Sequence, residues 1–209
     1  MDLGLVLSFI GASIILTLMP GPDNIFVLTE SITKGRRNGV LISIGLSLGV
    51  LVHTLAAATG LSIIIKESAF AFSIIKYFGA VYLFYLAYKT LKEKKSDLSF
   101  GMTSTVDNTP FFMLIKKGFL MNVLNPKVSL FFIAFLPQFI TVSGINITIQ
   151  MIILGVIFML QALLIFSLIS FLSSKLTKYV RNPKFWKITK WSKIAVLSLL
   201  GVALVLSEK

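Results

Sequence analysis

The chain has no cysteine and a single histidine, His53. Disulfides, thiol chemistry and cysteine-based metal sites are excluded, and so is a multi-histidine metal cluster. Acids are scarce: eight Asp and Glu stand against twenty Lys and Arg. Long stretches carry no charge at all. Residues 39–65 contain no Asp, Glu, Lys or Arg, and neither do residues 128–174. A membrane span needs about 20 apolar residues, so the second stretch holds most of two spans. The N-terminus lacks a basic n-region and an A-x-A site, so no cleaved signal peptide is expected.

What is present is apolar. The chain is 56% hydrophobic and 13% charged, with a mean hydropathy of +0.92, the composition of a polytopic membrane protein. Hydropathy predicts six spans, at roughly 4–29, 39–65, 70–89, 113–139, 147–173 and 188–207. Lys76 interrupts the third, and Lys190 and Lys193 lie near the start of the sixth. The loops left over are short, so the expectation is an all-α single transmembrane domain over residues 1–209 with no soluble domain.

The net charge of +12 does not point to nucleic acid, because the basic residues sit in short loops between apolar spans. The loops after spans 1, 3 and 5 together hold 16 of the 20 cations; Lys66, Lys76 and Lys209 lie on the other side. The positive-inside bias places the 16 in the cytoplasm and both termini outside. The stretch 175–193 has seven basic residues and no acid, with Trp186 and Trp191 interleaved. Flanked by spans, it reads as a cytoplasmic-face segment that contacts anionic lipid head groups.

Lys127, the twentieth cation, lies inside a span, and so does Asp23. Each sits at a proline break: Pro20, Gly21 and Pro22 precede or adjoin Asp23, and Pro126 precedes Lys127. Proline removes a backbone donor and clashes with the preceding turn, which frees polar backbone groups inside apolar sequence. Those groups must face protein or a wet cavity, because lipid cannot satisfy them. Aligning Leu18-x-Pro20 with Leu124-x-Pro126 gives an offset of 106 residues, about half the chain. Three spans per half reverse the membrane direction between halves. The expected layout is therefore two inverted three-helix repeats, about 1–92 and 111–209, each with a Pro-broken first helix, joined by a cytoplasmic linker at about 93–110.

Charges inside a span are costly and usually pair, line a cavity or relay protons. Two compatible readings follow. One is a structural Asp23–Lys127 ion pair that orders both breaks. The other is a binding site in which the carboxylate and the ammonium flank the two ends of a zwitterion, with half-helix N-termini adding donors. Asn24, Asn122 and Asn125 are the uncharged polar groups nearest the breaks, and Asn125 adjoins the second one. Gln138 and Gln161 are expected to hydrogen-bond between helices. Tyr77 and Tyr88 are expected at the membrane interfaces, and Tyr82 and Tyr85 in packing. Gly45, Gly49, His53 and Ala57 recur every four residues on one helix face, so His53 points at a neighbouring helix, either as a packing hydrogen bond or as a proton carrier, and it joins Asp23, Lys127, Asn24, Asn122 and Asn125 as a candidate for substrate binding or coupling. Gly45-Leu46-Ser47-Leu48-Gly49 matches the G-x-S-x-G elbow of hydrolases, but it lies in a 27-residue apolar run and reads as a packing motif.

These motifs together resemble the lysine exporter and homoserine–threonine resistance (LysE/RhtB) family. The resemblance runs through Pro20-Gly21-Pro22-Asp23-Asn24, Lys34-Gly35-Arg36-Arg37-Asn38-Gly39 and the Gly45-to-His53 helix. It continues in Gly79-Ala80-Val81-Tyr82-Leu83, in Gly118 through Lys127, and in Phe135-Leu136-Pro137-Gln138-Phe139. It implies ion-gradient-driven export of amino acids or close derivatives across a bacterial-type inner membrane. Asp23 is then expected to couple protons or hold the substrate ammonium. Lys127 and freed amides near Asn24 and Asn125 are expected to hold the carboxylate. No metal and no cofactor is expected, nor is an enzyme, for want of a credible nucleophile–base pair. A channel-like permease is the rival on the same scaffold. The expected partners are an amino-acid substrate and the bilayer, with a homodimer as candidate assembly.

Overall fold

The computed structural model describes residues 1–92, 109–141, 144–180 and 182–207. Among them there is helix and connecting turn but no strand. Hydrocarbon leaves backbone groups no solvent partner, and helices satisfy them internally. The elements are α1 (Leu3–Leu18), α2 (Pro22–Lys34), α3 (Arg36–Ala56), α4 (Ser62–Glu67), α5 (Ala69–Lys92), α6 (Phe111–Val123), α7 (Pro126–Leu130), α8 (Ile147–Phe171), α9 (Ser173–Val180) and α10 (Pro183–Leu206). A π-helical turn, Ala57–Leu61, joins α3 to α4, and another, Phe131–Phe135, continues α7.

Among the described residues four stretches are long and apolar enough to cross a membrane: Arg36–Ile64, Phe70–Lys92, Ile147–Phe171 and Lys184–Leu206. Two further stretches are bent pairs. Leu3–Leu18 and Pro22–Lys34 meet at 57°, and Phe111–Val123 and Pro126–Phe139 meet at 49°. Counted as one span each, they bring the total to six. Both bends fall at the prolines, where the helix loses a donor and gains a clash. The boundaries differ from expectation in the last third. The fifth helix stops at Phe171, the amphipathic α9 intervenes, and the sixth starts at Pro183 behind an Asn182 cap. The last helix therefore extends through Lys184, Lys187, Lys190 and Lys193. The linker expected at 93–110 falls almost wholly outside the described residues.

The polytopic bundle centres on α3, which packs against α6 and α8. At the α3–α6 crossing a Cβ on Gly45 would strike the Ile115 carbonyl, and one on Gly118 would strike the Ile42 carbonyl. Small residues at this spacing set the approach of two backbones. Ser47 completes the packing reading: it lies mid-helix and donates to the Ser43 carbonyl at 2.8 Å, as an ordinary buried hydroxyl does. Lys76 and Lys190 tie the α5–α10 pair at opposite ends. Lys76 donates to the Ser207 carbonyl and Lys190 to the Leu91 carbonyl, both at 2.7 Å. This pattern fits antiparallel neighbours, and each ammonium meets a helix C-terminus, the favourable end of the dipole. Tyr85, expected in packing, is half exposed like Tyr77 and Tyr88; its ring lies 5.7 Å from that of Tyr82, tilted by 47°. Phe9, Phe131, Phe132, Phe135 and Phe158 form a fully buried aromatic cluster beside α7, with ring centroids 5.3–6.5 Å apart.

Candidate functional site

The two proline breaks meet in the interior. Asp23, Asn125 and Lys127 lie 2%, 6% and 9% exposed, respectively. The sequence explains each placement locally. Gly21 caps α2 in extended conformation and Pro22 occupies the first helical position, which puts Asp23 in the first turn. A carboxylate is favoured there by the positive end of the helix dipole. Asn125 caps α7 in the same way, with Pro126 at its first position, and Lys127 follows.

The expected direct ion pair between Asp23 and Lys127 does not form; Asn125 stands between them. Its Nδ2 donates to Asp23 Oδ2 at 2.7 Å, while its Oδ1 accepts from the Lys127 backbone amide at 3.0 Å. The Lys127 side chain turns the other way. Its ammonium donates to the Leu16 and Met19 carbonyls at 3.1 and 3.4 Å. Those are carbonyls of the last turn of α1, which have no intrahelical partner at a helix end. A cation there also faces the negative end of the α1 dipole. A Cβ on Gly21 would lie 3.5 Å from the same ammonium, an ordinary van der Waals contact, so the first break and Lys127 are direct neighbours.

The arrangement interlocks the two halves. The second supplies the amide that holds Asp23 and the ammonium that caps α1. Open valences remain. Asp23 Oδ1 is buried and has no partner. An ammonium carries three donors, and Lys127 uses two. Buried polar groups are nearly always satisfied, so these open valences can take further hydrogen bonds. The freed amides differ between the breaks. At the second, Lys127, Val128 and Ser129 all donate to Asn125, so the expected free amide there is already used. At the first, α2 has no side-chain cap, so its first-turn amides at Asp23 and Asn24 stay available.

Asn24 is anchored next to the break by donating to the Thr17 carbonyl at 2.8 Å. Gln161 reaches across from α8 to Thr17 Oγ1 at 2.9 Å. The amide oxygens of both Asn24 and Gln161 are buried without a partner. Gln161 therefore makes the expected interhelical contact and also joins the site. Thr17 escaped sequence reasoning; its only signal was a hydroxyl in the last turn before the break. His53 donates from Nε2 to the Asn122 carbonyl at 3.1 Å, with its ring 5.8 Å from that of Phe132. Asn122 thus meets α3 through its backbone, and its own Oδ1 is buried and unpartnered. No group of three or more His, Cys, Asp or Glu able to hold a metal occurs among the described residues.

Comparison with known proteins agrees with this architecture. The chain is 33% identical over 202 residues to the uncharacterized membrane protein YrhP of Bacillus subtilis, covering 94% of this chain and 95% of that one. It is 29% identical over 198 residues to the leucine efflux proteins of Salmonella choleraesuis and Salmonella typhimurium, covering 95% of this chain and 90% of theirs. No solved structure matches. The profile of the LysE type translocators matches residues 14–208, nearly the whole sequence, and the chain therefore belongs to the LysE type translocator family, as a membrane transporter and not an enzyme.

Proposed function

We propose that this translocator is a secondary carrier that exports amino acids or close derivatives from the cytoplasm, coupled to the proton gradient. The single observation that carries the reading is Asp23: a carboxylate inside the membrane, held by Asn125 through one oxygen and with the other buried and unpartnered. Intramembrane carboxylates mark ion and substrate pathways and proton relays. An amino acid's ammonium suits Asp23 Oδ1, and its carboxylate suits the remaining Lys127 proton and the open α2 amides. The printed activity of the Salmonella relatives, leucine efflux, points to the same chemical class. Asn24, Asn122 and Asn125 complete the polar lining, and His53 fixes α3 against Asn122.

In this reading the whole chain is one transmembrane domain of two inverted repeats, about 1–92 and 111–209. The 106-residue offset, the two bends of similar size and their contact in the interior support it. The 16-to-3 split of cations supports an inner-membrane protein with both termini outside and with residues 175–193 against anionic head groups. Assembly as a homodimer belongs to the same proposal.

Proteoliposomes with an imposed proton gradient test it. The protein should show saturable export and counterflow of an amino acid. Asp23→Asn, which keeps size and hydrogen bonding but cannot titrate, should insert normally and lose gradient-driven export. Export at the wild-type rate by that variant would remove Asp23 from the mechanism, and unsaturable flux without counterflow would make the protein a channel.

A further inference from the structure

Among the described residues, polar contacts tie the two bent spans at three levels. At one end Lys127 on α7 donates to the Leu16 and Met19 carbonyls of α1. At the breaks Asn125 donates to Asp23 at 2.7 Å. At the other end Lys117 on α6 pairs with Glu30 on α2, with Nζ 3.5 Å from Oε1. That end faces the cytoplasm in the proposed orientation. Asp23, Val27 and Glu30 stand at i, i+4 and i+7 and are all buried, so they share one face of α2. At the helical rise, Glu30 lies about 10 Å from Asp23, two turns toward the cytoplasm.

The third level is the loosest. The Glu30 side chain is 9% exposed, while that of Lys117 is 52% exposed. Lys34, on α2 itself, approaches Glu30 Oε2 at 3.4 Å. Both separations exceed the roughly 2.7–2.9 Å of a charge-assisted hydrogen bond, and Glu30 Oε2 has no hydrogen-bond partner. The Lys117 ammonium also lies 4.3 Å from the ring centroid of Phe26, one turn from Glu30 on α2. Otherwise α6 packs chiefly on α3. Lys117 thus holds the cytoplasmic ends of the two bent spans together by charge rather than by close packing.

We propose that the Glu30–Lys117 pair is the cytoplasmic gate of the carrier: joined, as here, it closes the α2 face that leads to Asp23, and parted, it opens that face to an amino acid. The inference rests on the export reading and its orientation, and adds to them the residues that separate. Removing one partner of a buried ion pair is costly because it leaves a bare charge. Glu30 avoids that cost: when Lys117 leaves, Lys34 stays beside it on the same helix. Lys117 in turn is half exposed and returns to water. The pair can therefore part and re-form at each cycle.

The test places one cysteine in this cysteine-free chain, Val27→Cys, at a fully buried position between Glu30 and Asp23. A charged, impermeant thiosulfonate is added to inside-out vesicles. Labelling should be slow with the pair intact and about 5-fold faster in Glu30→Gln and in Lys117→Gln, the scale set by one partly exposed ion pair. Lys34→Gln leaves the pair between α2 and α6 in place and should change the rate by less than about 2-fold. Exchanging the charges, Glu30→Lys with Lys117→Glu, should slow labelling again, which a loss of folding would not do. Unchanged labelling in both neutralised variants overturns the gate, as does a faster rate from the outer side in intact cells. A second measurement does not depend on Val27. Glu30→Cys and Lys117→Cys, joined by a short bifunctional thiosulfonate, should lose amino-acid counterflow in proteoliposomes and regain it on reduction. Counterflow that survives the bridge overturns the gate. No counterflow of any amino acid by the wild type defeats the export reading instead, and the Val27→Cys labelling then still decides whether the pair closes the face.

Discussion

Replacing Asn125 with alanine removes two hydrogen bonds at once: its Nδ2 no longer reaches Asp23 Oδ2, and its Oδ1 no longer caps the Lys127 amide. A hydrogen bond to a charged group contributes about 1.5–3 kcal/mol, and the loss of an N-cap costs about 1 kcal/mol. Asn125→Ala should therefore destabilise the protein by about 2.5–4 kcal/mol. The two parts separate experimentally. Asn125→Ser keeps a capping hydroxyl but is too short to reach Asp23, so only the larger part is lost. In an Asp23→Leu background the first bond is already gone, and Asn125→Ala should then cost only the cap, about 1 kcal/mol. The coupling energy between positions 23 and 125 is expected at about 1.5–3 kcal/mol. Equilibrium unfolding in mixed micelles, followed by helical circular dichroism, measures it. Additivity to within about 0.5 kcal/mol would show that Asp23 and Asn125 do not interact and would refute the interlocked site.

Lys127→Met strips the caps from two buried carbonyls, those of Leu16 and Met19, and should cost about 2 kcal/mol in the same unfolding assay; a change below about 0.5 kcal/mol would place the ammonium elsewhere. Gly118→Ala forces a methyl into the Ile42 carbonyl and should destabilise by about 1–3 kcal/mol, whereas Gly11→Ala, which meets nothing within 4 Å, should be near neutral. Single cysteines placed at Arg36 and Lys187 of this cysteine-free chain should resist impermeant thiol reagents in intact cells and react in inside-out vesicles; the opposite pattern overturns the orientation.

The parts of the fold that were legible in the sequence depend on one-dimensional physics. Charge-free runs of span length mark the helices, and Pro20, Pro22 and Pro126 mark the bends because proline acts on its own backbone. The Gly45–His53 face was legible because a period of four places those residues together whatever surrounds them. The partners inside the site were not. Opposite charges at two breaks suggested a direct Asp23–Lys127 pair. The bonds depend on side-chain reach: the short Asn125 arm spans to Asp23, while the long Lys127 arm extends to orphan carbonyls on α1. Thr17 was missed because a single hydroxyl in an apolar helix usually bonds its own backbone, as Thr17 does to Ser13 at 2.8 Å, and nothing in the sequence shows that Asn24 and Gln161 converge on it.

The Lys127 cap also sets a timing problem during synthesis. Lys127 follows Met19 by 108 residues, so the first bent pair leaves the ribosome long before the ammonium that completes it. At about 5–20 residues per second the delay is roughly 5–20 s. Throughout that interval the Leu16 and Met19 carbonyls, and the Asp23 carboxylate, lack their protein partners. A break so exposed is unstable in hydrocarbon and is held by water or by the insertion machinery until the second half arrives. The nascent N-terminal half is therefore an obligatory client of whatever keeps it wet, and a stalled chain that ends before Asn125 is a natural target for membrane proteolysis.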